Sequence, residues 1–240
     1  MAALLEESLA AGAGWLDISI PDQHMVLFRS YYRLLEEENA KYNLTSLEGE
    51  REVAVKHFID SLSCVKALDF NNKRVVDIGT GAGFPGVPLK ILYRDMSLVL
   101  VDSVKKKVHF LDLLVEKLGL DGVERRWDRA ETMGRAEEFR ESADIVVSRA
   151  VAPLNVLAEL CLPLVREGGY FLSMKGPGAE QEIDEAGKAI ELLGGWFEKR
   201  ESLRLPFYNE ERNIILIRKV APTPEKYPRR EGMPAKRPIR

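Results

Sequence analysis

Apolar residues recur along this chain with two different rhythms, and the change between them falls near residue 70. Before it, Met25, Phe28, Tyr32 and Leu35 lie three or four residues apart, with Leu27, Tyr31 and Leu34 beside them and Glu36–Glu38 turned to solvent. That is the period of an amphipathic helix, and Pro21 suits its first turn. Leu4, Leu5 and Leu9 begin a weaker helix upstream, and a further helical segment runs from about Arg51 to Leu68. From Arg74 onward, short apolar runs alternate with helix-periodic stretches. The pattern predicts strands at 74–78, 97–102, 123–127, 144–148, 169–175, 196–204 and 212–219, and helices at about 86–93, 104–118, 154–166 and 178–193. Strand and helix in alternation imply an α/β fold with a parallel sheet covered on both faces. The last two strands are joined only by a loop around 206–211, too short for a crossover helix, so they should pair antiparallel. Residues 1–70 then form a helical extension, 71–220 the α/β domain and 221–240 a tail. In that tail Pro222–Arg230 (PTPEKYPRR) has too many prolines for a helix or a central strand and should run extended along a surface.

The turn between the first strand and the next helix narrows the ligand. Asp77-Ile78-Gly79-Thr80-Gly81-Ala82-Gly83 follows the apolar run Arg74-Val75-Val76. A dinucleotide fingerprint needs glycine at its first, third and sixth positions. Counted from Gly79, the sixth is Phe84, whose side chain is too large. The remaining pattern, acidic-x-Gly-x-Gly-x-Gly, is the spacing of S-adenosylmethionine (SAM) methyltransferases. A mostly parallel, seven-stranded Rossmann-like sheet ending in an antiparallel hairpin is the class I architecture of such enzymes. The strand Ser97–Asp102 ends in an acid that could accept the ribose hydroxyls of an adenosine. Asp102 could equally cap the helix that follows it, a role for which Ser103 competes.

Composition changes the picture less than charge does. The 240 residues suit one α/β domain with an extension, and 45% hydrophobic with 30% charged is a soluble composition. No apolar run approaches the roughly 20 residues that cross a bilayer. Glu6 and Glu7 stand where a secretory signal would carry positive charge, so a cytoplasmic protein is expected. Cys64 and Cys161 sit in apolar, helix-periodic surroundings and read as buried free thiols, while His24, His57 and His109 are too scattered for a metal cluster. The net charge of −3 conceals an asymmetry: residues 1–60 hold eleven acids against five bases, and residues 218–240 hold eight bases against two acids. A polyanion met by one end of the molecule would explain this, as would a solvated basic tail.

At this point the motifs resemble one family. Asp77–Leu89 (DIGTGAGFPGVPL) closely resembles the signature of the bacterial small-subunit ribosomal RNA methyltransferase G family, also called glucose-inhibited division protein B. Lys41-Tyr42-Asn43-Leu44-Thr45, His57-Phe58-Ile59-Asp60-Ser61, Ser148-Arg149-Ala150 and the tail from Thr223 to Pro234 are similar to the family too, in order and over nearly the whole chain. The resemblance implies methyl transfer from SAM to N7 of one guanine in 16S ribosomal RNA, on the free RNA or in the small ribosomal subunit, near the decoding region. A monomer is expected, and with the histidines scattered no metal is. The resemblance assigns cofactor binding to Gly79, Phe84, Ala130, Glu131 and Arg149, to which the residue pattern adds Asp77, Thr80, Gly81, Gly83 and Asp102. Ala130 and Glu131 follow the third strand and Arg149 ends the fourth, both at the ligand-binding edge of a doubly wound sheet. Arg149 is expected to position substrate or cofactor by holding O6 of the base, a phosphate, or SAM itself. Candidate RNA contacts are Asn43, His57, Asp60, Lys175, Lys226, Arg229 and Arg230, with Phe84 or Tyr42 as possible stacking partners for an extruded base.

The fourth strand also bears on the chemistry. An Asn/Asp-Pro-Pro-aromatic turn, common where exocyclic amines are methylated, is replaced here by Ser148-Arg149-Ala150-Val151. Carbon-5 methylation needs a thiol, and Cys161 lies inside an apolar helical stretch. Guanine N7 needs neither, since its lone pair carries no proton. Two other readings compete: a SAM-dependent methyltransferase acting on a protein or small molecule, and a non-catalytic RNA-binding module. The first leaves the basic tail unexplained, and intact glycines with Asp102 argue against the second.

Overall fold

The computed structural model describes residues 3–240. Helices α1 (Ala3–Leu16) and α2 (Asp22–Tyr42) lead into a compound helix that begins with α3 (Glu50–Val53), as the early periodicity predicts. The sheet is built from β1 (Arg74–Ile78), β2 (Ser97–Asp102), β3 (Val123–Trp127), β4 (Ala143–Arg149), β5 (Val165–Lys175), β6 (Gly195–Arg204) and β7 (Glu211–Lys219), in the order β3-β2-β1-β4-β5-β7-β6. All neighbours up to β5 are parallel, and β7 lies antiparallel between β5 and β6. The fold is therefore α/β with a seven-stranded, mostly parallel sheet and an antiparallel end hairpin. The order reverses between β1 and β4, so a crevice opens beyond their carboxyl ends.

Alternate residues of the same strands feed two cores. Val75, Leu98, Leu100 and Ile145 pack on one face, Val76, Val99, Val101 and Val146 on the other, which is why these strands read as continuous apolar runs. The first face is covered by Leu9, Phe28, Tyr31 and Phe58 of the N-terminal helices together with Leu111 and Leu114 of α6 (Lys105–Leu118). The helical extension thus shares its core with the sheet. Burying one side chain of the size of Phe58 is worth about 1.5–3 kcal/mol. The second face is covered by α8 (Leu154–Cys161) and α9 (Ala179–Leu192).

Three local departures matter for the site. The segment expected as one helix from Arg51 to Leu68 changes its winding: a π-helical turn, Ala54–Ile59, separates α3 from the single turn α4 (Asp60–Leu62), and a 3-10 turn, Ser63–Lys66, follows. Such widened turns concentrate at functional sites. The helix expected over 154–166 stops at Cys161, because Pro163 closes it in a 3-10 turn, and β5 starts at Val165. The tail is not a free surface strand. Arg140 donates to the carbonyls of Thr223 (2.7 Å) and Tyr227 (2.8 Å), Arg135 donates to that of Pro228 (2.8 Å), and Tyr227 packs into the second core. A short helix, α10 (Met233–Lys236), follows.

Candidate active site

The turn between β1 and α5 (Gly86–Leu92) is shaped from within. Asp77 is fully buried; its Oδ2 accepts from the Thr80 hydroxyl and from the Gly86 N–H, each at 2.8 Å, while Oδ1 has no partner. Burial pushes its carboxyl up to about 7, against the pull of those two hydrogen bonds. Asp77 and Thr80, expected at the cofactor, instead hold the turn's shape. Gly83 also faces inward: a Cβ there would lie 2.7 Å from the Tyr31 hydroxyl oxygen, so this glycine permits close packing of α2. Tyr31 donates to the Ala82 carbonyl at 2.5 Å, tying the helical extension to the turn. Phe84 is 4% exposed, stacked between Tyr31 (centroids 5.3 Å) and His57 (4.2 Å), with the Arg149 guanidinium 4.9 Å from its ring centre. Its ring is buried among these neighbours, so it does not stand free as a stacking partner for an extruded base.

Gly81 is different. Its φ is +62° and no atom lies within 4 Å of where a Cβ would stand. Beside it is a cleft of about 240 Å3 lined by Gly79, Asp102, Ala130, Glu131, Val151 and Gly232. Asp102 accepts the Gly81 N–H through Oδ2 (3.0 Å) and the Val104 N–H through Oδ1 (2.9 Å). It therefore serves the turn and the start of α6 together, and each oxygen keeps a lone pair for a ligand hydroxyl. Glu131, the first-turn acid of α7 (Ala130–Met133), accepts the Gly232 N–H at 2.9 Å, so part of its carboxylate is spent on closing the tail over the cleft. Val151 roofs Gly79, whose hypothetical Cβ would lie 2.5 Å from Val151 Cγ2. An open glycine turn, a strand-end carboxylate with spare lone pairs and a small residue on the far wall fit the methionine, ribose and adenine parts of SAM.

A second cavity, about 860 Å3, lies on the other side of Val151 and Ala152, which line both. Its wall is a network centred on Arg149. That guanidinium donates to Asp60 Oδ2 (3.0 Å), to the Lys56 carbonyl (3.2 Å) and to His57 Nδ1 (2.9 Å). Asp60 is 3% exposed and also meets Arg212 (3.2 Å), a β7 residue that nothing in the local sequence marks. Burial raises the Asp60 carboxyl while both guanidiniums oppose the rise. Burial and the adjacent Arg149 hold His57 down at about 3, so its ring is neutral. The π-helical turn is what presents Lys56, His57 and Asp60 to one arginine. Arg149, His57 and Asp60 are thus brought together, with Arg149 braced through Nη1 and one Nη2 hydrogen while it lines the cavity.

Other expected contacts separate. Lys175 reaches the same cavity yet is ion-paired with Glu182 (2.7 Å) and donates to the Ala152 carbonyl (2.6 Å), with a side chain 8% exposed; it braces the wall and is not a free phosphate contact. Arg229 makes a two-pronged pair with Glu159 of α8 (2.5 and 2.8 Å), and Lys219, counted in the basic end, is fully buried against Glu141. Both are internal struts. Lys226 and Arg230 are exposed on the tail; Asn43, also exposed, ends α2 in the left-handed region at φ +50°, and Tyr42 packs edge-on against His109. Among the residues not anticipated are Thr45, Lys56, Glu210 and Arg212, all on the wall of the larger cavity. Both thiols, at Cys64 and Cys161, are buried and pushed up by burial.

The sheet order and the glycine turn at its switch point define the class I SAM-dependent methyltransferase fold. Solved structures agree on the fold: TYW2 from M. jannaschii in complex with AdoMet matches with a TM-score of 0.53 at 15% identity, over 67% of this chain and 75% of that one. A SAM-dependent O-methyltransferase from Thermotoga maritima matches at TM-score 0.51 and 15% identity, over 78% and 71%. Sequence comparison is more specific. The family model GidB, rRNA small subunit methyltransferase G, matches residues 24–215. Proteins named ribosomal RNA small subunit methyltransferase G from Pelotomaculum thermopropionicum (48% identity, 98% of this chain, 99% of the relative) and Listeria monocytogenes (48%, 92% and 94%) match along nearly their full lengths. The chain belongs to the GidB, or rRNA small subunit methyltransferase G, family.

Proposed function

We propose that this protein is a SAM-dependent methyltransferase that modifies N7 of a guanine in the RNA of the small ribosomal subunit. The observation that carries the reading is a donor cleft and a larger polar cavity meeting at Val151 and Ala152, with no free base or nucleophile at the junction. His57 accepts from Arg149 on one nitrogen and is engaged with Thr45 through the other, Asp60 is held by two arginines, and both thiols are buried. A target that must lose a proton or form a covalent adduct finds no partner here. Guanine N7 requires neither. Family membership supports ribosomal RNA as the substrate, and Lys226 and Arg230, exposed on the tail, are available for phosphate contacts.

When bound, SAM supplies an electrophilic methyl group on a sulfonium. Gly79 and Gly81 would leave room for its amino-acid end, Asp102 would accept the ribose hydroxyls, and the backbone of Ala130 would border the adenine. The chain's contribution is alignment, and orienting two reactants can lower a barrier by roughly 7–11 kcal/mol. Incubation with labelled SAM and either free 16S RNA or small subunits, followed by aniline cleavage at N7-methylguanine, tests the reading. A single cleavage site in the RNA is expected; label on protein, or on RNA without cleavage, overturns it.

A further inference from the structure

The proton accounting around Thr45 carries one step further, resting on the guanine-N7 reading. Arginine can only donate, so the 2.9 Å contact from Arg149 makes His57 Nδ1 an acceptor. The ring is neutral, so its remaining proton sits on Nε2 and is given to the Thr45 hydroxyl oxygen, 2.7 Å away. The Leu47 N–H donates to the same oxygen at 3.0 Å. Two donors fill both lone pairs of that hydroxyl. Its own hydrogen has no acceptor among the described residues, and Thr45 lines the larger cavity. A threonine hydroxyl normally donates or accepts as its ligand requires; here the second option is closed. The loop that carries it is also fixed, since Asn39 receives the N–H groups of Leu44 (2.8 Å) and Thr45 (3.0 Å) and donates to the Thr45 carbonyl (3.0 Å).

We propose that Thr45 is a specificity-determining residue, an obligate donor that holds O6 of the target guanine and turns away adenine. A hydrogen bond to O6 leaves the N7 lone pair beside it open, which the two-pronged grip of an arginine on O6 and N7 would not. Adenine presents an amino group at the same place, and two donors would then face each other without an acceptor. The lysines and arginines of the cavity wall, Lys56, Arg149, Lys175 and Arg212, are each tied to a carboxylate.

The test pairs residue with atom. Small subunits reconstituted with guanine, adenine or 2-aminopurine at the target (the last keeps N7 and lacks O6) are methylated by the wild type, Thr45→Val and Thr45→Ser. On guanine, Thr45→Val should lose roughly tenfold in kcat/KM, as for one neutral hydrogen bond, and Thr45→Ser should stay within about twofold. On 2-aminopurine the wild type and Thr45→Val should be equal, and Thr45→Val should narrow the preference for guanine over adenine. Calorimetric SAM affinity, expected unchanged, monitors folding. No loss on guanine, or the same loss on guanine and 2-aminopurine, overturns the assignment while N7-methylguanine formation still stands. Absence of N7-methylguanine with the wild type overturns both readings.

Discussion

The two cavities that meet at Val151 are built in opposite ways. The donor cleft is made of backbone and short side chains from turns at the ends of successive parallel strands, with Gly81 open and Asp102 at a strand tip. The larger cavity is made of long polar side chains from remote segments: Thr45, His57 and Asp60 from the helical extension, Arg149 from β4 and Arg212 from the end hairpin. One is specified by conformation, the other by a web of charge and hydrogen bonds. The difference teaches that the halves can fail independently, and variants should separate them.

The largest effect is expected at Arg149. Arg149→Met leaves Asp60 buried with Arg212 alone, costing about 3 kcal/mol of stability, and it removes the acceptor assignment of His57. Methylation should fall by roughly a hundredfold or more, as misplacement of reactants does. Calorimetric SAM affinity should change little, and its loss would merge the two halves into one. Gly81→Val reverses the pattern. A branched side chain at φ +62° costs about 1–2 kcal/mol and strains the turn whose Gly81 N–H Asp102 accepts, so SAM affinity should drop by roughly tenfold or more while RNA binding measured by filter retention holds. Comparable losses of RNA binding would show that the cavities communicate.

Third, Arg229→Met should lower stability by about 2 kcal/mol by stranding Glu159, without altering the salt dependence of RNA binding. Arg230→Ala should do the reverse, reducing the log–log salt slope by about one. A flatter slope for Arg229→Met would return that residue to the RNA. The smallest effect concerns pH, where the halves have opposite signs. Asp77, raised to about 7 in the fold from an ordinary 3.8, stabilises only while protonated, so its contribution disappears as pH climbs between those values. His57, lowered from 6.5 to about 3, stabilises only while neutral, so its contribution is lost as pH falls through that interval. Thermal melts of Asp77→Asn should therefore gain on the wild type as pH rises from about 4 to 7. A constant difference would remove Asp77 from the balance.

The same contrast explains what could be read from the chain. Strand positions and the glycine turn were legible because apolar runs and Asp77–Phe84 are contiguous and act through local backbone geometry. The motif did not reveal which of its members look outward: Gly81 faces open space, whereas Asp77, Thr80, Gly83 and Phe84 serve the interior. Arg212, Lys175 and Arg229 could not be assigned from sequence because their partners, Asp60, Glu182 and Glu159, are brought near only by tertiary packing. Charge counting misled for the same reason, since Lys219 and Arg229 belong to the interior. The π-helical turn left no trace in the apolar period, yet it gathers three groups onto Arg149.

That turn has a consequence for partly melted molecules. Because the helices before Lys66 share a core with the sheet and Tyr31 ties them to the glycine turn, loosening those helices would disturb the Arg149 network and the turn after β1 together. A frayed copy would lose its hold on the methyl donor and on the base at once, so damage would silence the enzyme before it could make it indiscriminate.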